Sequence, residues 1–149
     1  MKVELRWLNC FWLMLPLLAW NIILAPEIAA EKIISDANSP VWLLVAENLT
    51  RVLVFALPLL LPLQMHDNYS KVGLAMYLLG MLIYFASWMP LVWMPESAWS
   101  QSVMGLLAPR LTPFLPFLGI ALIGRSLPYA AVSALFIFLH TWHGIQNLG

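Results

Sequence analysis

Residues 41–63 read VWLLVAENLTRVLVFALPLLLPL. A bilayer-crossing helix needs about 20 mostly apolar residues, and this stretch supplies them with only Glu47 and Arg51 as charges. A charge at mid-membrane costs at least about 2.5–3.5 kcal/mol, so neither side chain is expected to face lipid. Four residues apart on a helix, the two share a face and offset part of that cost as a pair, with Asn48 beside them. The stretch therefore reads as a transmembrane helix whose charged face is turned into protein. Ser39-Pro40 opens it where a helix start tolerates proline, and Pro58 and Pro62 predict a bend near its end.

The same pattern extends in both directions. The chain of 149 residues is 62% hydrophobic and 9% charged, against roughly 45–50% and roughly 25% in soluble domains. Apolar segments at 7–25, 41–63, 72–94, 103–123 and 127–143 predict an all-α, polytopic helical bundle of five spans, one integral membrane domain covering 1–149. Five such spans use about 100 residues, which leaves no room for a soluble catalytic domain. The fourth segment carries Arg110 and the prolines Pro109, Pro113 and Pro116. It reads either as a kinked span or as an interfacial piece leading into a short helix, which would reduce the count to four. Lys2 and Arg6 before the first segment resemble a secretory signal, but the 19-residue apolar run from Trp7 to Ala25 exceeds the roughly 7–15 of such a signal. The segment reads as a retained span.

Charge placement sets orientation and excludes one class of partner. With the N-terminus in the cytoplasm, Lys2, Arg6, Lys71 and Arg125 lie inside and Lys32 alone lies in an outer loop, so the positive-inside rule predicts N-in and C-out in a plasma or bacterial inner membrane. The Asn68-Tyr69-Ser70 sequon then falls inside. Seven basic residues balance seven acidic ones without a basic run, so a nucleic-acid partner is not expected. The expected partners are the bilayer and either a second copy of the chain or a larger membrane complex.

Several residues are accounted for by packing. Gly73, Gly80 and Ser87 recur at intervals of seven on the third span and predict close approach of a neighbouring helix; Ala130 and Ala134 make a similar pair on the fifth. Cys10, alone and in an apolar stretch, reads as a small hydrophobe.

The polar residues that remain gather at one level. At about 1.5 Å per residue, Glu47 lies about 9 Å and Arg51 about 15 Å below the outer end of the second span, and Arg110 about 10 Å below Val103. His140 and His143 fall in the outermost turn of the fifth span, and Asn21 and Trp88 lie near the outer ends of the first and third. The expected ligand-binding set is thus Glu47, Asn48, Arg51, Arg110, His140, Asn21 and Trp88. His140 and His143, three apart on one face, could place two imidazoles on a metal with Glu47 as a third ligand, or sit at the membrane interface hydrogen-bonded to water or a carbonyl. No cofactor is required by the sequence, and no nucleotide loop, CxxC or HExxH motif occurs. The two arginines at one depth point to an anion held between them. The first expectation is an outward-facing, tryptophan-rimmed pocket that binds or transports an anionic small molecule or lipid headgroup. A membrane enzyme acting on a lipid-linked substrate and a structural subunit of a larger complex are the alternatives.

Overall fold

The computed structural model describes residues 8–24 and 39–148. Trp7, the loop residues Glu27, Glu31, Lys32 and Asp36, and the N-terminal Lys2 and Arg6 lie outside the described residues. Three of the five cations behind the expected orientation are therefore among them.

Within the described residues the structure is helical, with one antiparallel bridge between Asn9 and Pro62. A 310 turn, Cys10–Met14, leads into α1, Leu15–Ile23. Helix α2 is Val41–Ala56, extended by a 310 turn at Leu57–Leu60. Helix α3, Asn68–Trp93, is the longest; α4, Val103–Leu111, and α5, Phe114–Ile123, follow, and α6 is Leu127–Gln146.

Three segments are long and apolar enough to cross a membrane: Val41–Leu60, Asn68–Trp93 and Val103–Ile123. The first expected span is shorter than predicted, because Cys10–Ile23 has too few residues for a crossing of about 20. Two local features explain its late start. The side chain of Asn9 accepts from Phe11 N at 3.1 Å, and Cys10 N and Leu63 N bond across to Leu61 O and Leu8 O, which draws the chain out of helix. Helix α6 has the length, with the polar His140, Thr141 and His143 gathered in its C-terminal half. The second span ends three residues early, since the ring of Pro62 cannot continue the ladder and its carbonyl accepts from Cys10 Sγ.

The helix starts follow from capping. Asp67 accepts from Ser70 N at 2.8 Å, Ser102 from Gly105 N at 3.0 Å and Ser126 from Tyr129 N at 3.2 Å, each satisfying a donor that helix geometry leaves orphaned. The fourth segment breaks at Thr112-Pro113 into α4 and α5, which continue as one 21-residue apolar unit.

Helices α3 and α5 run antiparallel at backbone contact. A Cβ on Gly119 would lie 2.6 Å from Gly73 O and 2.7 Å from Tyr77 N, and one on Gly80 would lie 2.4 Å from Pro116 Cδ. Ser87 continues the stripe, with its hydroxyl 3.2 Å from that of Thr112. The seven-residue stripe thus meets a matching face. The pair Ala130 and Ala134 does not: Ala134 is exposed, and the buried face of α6 carries Tyr129, Ser133, Phe136 and Ile137 instead. Helix α6 packs on α2, α4 and α5. At the end of the bundle holding Asn68 and Leu127, Arg125 pairs with Asp67; at the other end Ser39 Oγ donates to Asn147 Oδ1 at 3.1 Å.

Candidate functional site

Glu47 is the centre of the polar layer. It is 2% exposed and sits on α2 where that helix faces α6. His140 Nδ1 lies 2.9 Å from Glu47 Oε1 and His143 Nδ1 lies 2.5 Å from Oε2. Arg51, one turn along α2, also donates to Oε1 through Nη2, and its Nη1 donates to Asn48 Oδ1 at 3.1 Å. One buried carboxylate thus accepts from three side chains on two helices, as a desolvated charge requires. The geometry assigns the proton on each neutral imidazole to Nδ1, because an ionised carboxylate can only accept.

This cluster forms one wall of a cavity of about 310 Å³. The cavity brings together Asn21 of α1, Glu47 and Arg51 of α2, Trp88 of α3, Arg110 of α4, and His140 and His143 of α6. Six of the seven ligand-binding candidates therefore share one space. Asn48 does not; it points outward on α2, one residue away from the buried face. The tryptophan rim is also reduced. Trp88 lines the cavity, whereas Trp42, Trp93, Trp99 and Trp142 are exposed on the outside of the bundle.

Arg110 reaches the cavity across the backbone of α6. A Cβ on Gly144 would lie 2.5 Å from Arg110 Nη1 and 2.7 Å from its Cδ, so the guanidinium is seated where a side chain is missing. Among the described residues no carboxylate pairs with it. Arg51, by contrast, has Glu47 and also lies over the ring of Phe136, 6.0 Å from the centroid, where a cation is attracted to the aromatic face. His140 stacks on the same residue, with centroids 5.3 Å apart and planes 12° apart.

The two histidines considered above as metal ligands both turn Nδ1 toward Glu47. Both Nδ1 atoms are directed to separate oxygens of Glu47 rather than to a common point. Among the described residues no group of three or more His, Cys, Asp and Glu side chains is arranged to hold a metal ion.

Residues not singled out in the sequence complete the lining. Tyr84 of α3 donates to Asn21 Oδ1 at 2.5 Å and so ties α1 to α3 at the cavity wall. Its signal was its spacing, four residues before Trp88 and therefore on the same face. Phe55, Leu91, Leu106 and Phe117 supply apolar surface, and Asn147 lies where α6 ends. No family model, curated protein or solved structure matches the chain.

Proposed function

We propose that this protein is an integral membrane protein that binds an amphipathic anion, either a small organic acid or a lipid headgroup, in the cavity between α2, α3, α4 and α6. The supporting observation is the charge balance of the lining. Two guanidinium groups face one carboxylate, and that carboxylate is already engaged by Arg51, His140 and His143. Arg110 is left as a buried-side cation for which an anionic oxygen is the natural complement. The aromatic and aliphatic part of the wall selects an apolar body attached to that group, and about 310 Å³ is the size of a small-ligand pocket. In this reading the N-terminus is cytoplasmic and the cavity lies in the outer half of the bilayer.

Binding of benzoate, octanoate and octyl phosphate to the purified protein, followed by calorimetry, tests the proposal. Arg110→Ala and Arg51→Ala should each weaken binding by about tenfold to a hundredfold, the worth of a charge-assisted hydrogen bond. Unchanged affinity in both variants rejects it. Mass spectrometry of copurified lipid separates the two ligand sources: a retained anionic phospholipid that benzoate displaces identifies a headgroup site, and its absence with benzoate bound identifies a soluble acid.

A further inference from the structure

We infer that the cavity takes up its anion together with one proton, carried by His140; this deepens, and rests on, the anion-binding reading.

His140 is held by Glu47 through Nδ1, at 2.9 Å. Its ring is 27% exposed and lines the cavity. Since Nδ1 carries the proton of the neutral ring, Nε2 on the opposite edge is left with a lone pair. A proton delivered by solvent forms an N–H bond at Nε2 with that pair, and Nδ1–H stays bonded to Glu47. The ring therefore becomes a cation without changing its rotamer or losing a partner. Its contact with the carboxylate, already charge-assisted, becomes an ion pair at the same time.

The groups that face His140 make this step depend on the ligand. From α2 come Glu47 and Arg51, from α4 Arg110, from α6 itself His143, and from α3 the phenol of Tyr84; Asn21 is the polar contribution of α1. Two arginines against one carboxylate leave the wall net positive before any imidazole is protonated. A third cation at His140 adds to that excess in an empty cavity, whereas an anion seated beside Arg110 removes it. Proton and anion thus favour each other, and by linkage the coupling is reciprocal. The outcome is a site that binds a neutral combination, anion plus proton, which is the charge state that a low-dielectric environment accepts at lowest cost.

The test is proton uptake. Benzoate is titrated into the purified protein near neutral pH in buffers of different ionisation enthalpy, which reads the number of protons bound per ligand. Uptake approaching one proton is expected, with affinity rising by up to about tenfold for each unit of pH decrease in the range where His140 titrates. In His140→Asn the side-chain amide can still donate to Glu47 but cannot take a proton. Benzoate should then bind without uptake and with a flat pH profile. Binding to the unmodified protein with no uptake overturns the coupling and leaves anion binding intact, whereas failure of benzoate, octanoate and octyl phosphate alike to bind overturns the reading on which it rests. The buffer series decides the matter on the unmodified protein even if the variant does not fold.

Discussion

The guanidinium of Arg110 rests on the backbone of Gly144, near enough that a Cβ at 144 would come within 2.5 Å of Nη1. The obstructing atoms belong to the far part of a flexible side chain, so Gly144→Ala should displace Arg110 rather than unfold α6. Alanine in place of a helical glycine is itself favourable by about 0.5–1 kcal/mol. The expected result is a protein of equal or higher thermal stability whose affinity for benzoate falls several-fold. A drop in stability with affinity unchanged would show that Gly144 serves packing and not the seating of Arg110.

Removing the carboxylate should be far more damaging than removing its arginine. Glu47 is 2% exposed and three donors depend on it, whereas the Arg51 side chain is 33% exposed. Glu47→Ala is expected to cost about 1–3 kcal/mol for each buried imidazole donor it leaves unsatisfied, with the loss of packing added. Arg51→Gln should cost about 1 kcal/mol, since His140 and His143 still hold the carboxylate and an exposed arginine is partly solvated. Unfolding in detergent, with both variants compared under one condition, checks the order.

The glycine stripe gives a steric prediction. In Gly80→Ala the new methyl would overlap the ring of Pro116, and in Gly119→Ala it would meet the backbone of α3, so α3 and α5 must separate in either case. Overpacking of this kind costs about 1–3 kcal/mol. Ala134→Leu, on the exposed face of α6, should change stability by less than about 0.5 kcal/mol. Thermal midpoints of the three variants suffice. Equal effects at positions 80 and 134 would contradict the packing described here.

Orientation is open to thiol labelling, because the native Cys10 is fully buried and bonded to Pro62 O, and should not react with an impermeant maleimide in the folded protein. His66→Cys and Glu96→Cys introduce exposed thiols at opposite ends of α3. With the N-terminus inside, intact cells label position 96 and spare position 66 until the membrane is opened. The reverse pattern would invert the topology.

How much of this could be read beforehand depends on what each residue's position obeys. Rise per residue is nearly constant in a helix, so placing Glu47, Arg51, Arg110 and His140 at one depth needed only the order of the spans, and they do share a cavity. Rotation about the helix axis is harder to read. Asn48 is adjacent to Glu47 in sequence but about 100° away around α2, and it faces outward. The role of Gly144 has no local sequence signal, since the guanidinium it accommodates comes from a residue 34 positions earlier. At the first segment hydropathy counts Asn9-Cys10 as the interior of an apolar run, whereas among the described residues the Asn9 cap and the bridge to Pro62 start the helix at Cys10. The break at Thr112-Pro113 was visible as a cluster of prolines, but three prolines cannot by themselves say which one divides the segment.

The two ways in which the helices are joined have a mechanical consequence. Between α3 and α5 the contact is hard, backbone against backbone at Gly73 and Gly119. Between α2 and α6, at the level of the cavity, it is a carboxylate clasped by two imidazoles, a junction of side chains rather than of backbone. The first contact leaves no room for an added methyl at Gly73 or Gly119, whereas the second is set by side-chain hydrogen bonds, so a substitution on the stripe acts on helix spacing and one at Glu47 acts on polar pairing.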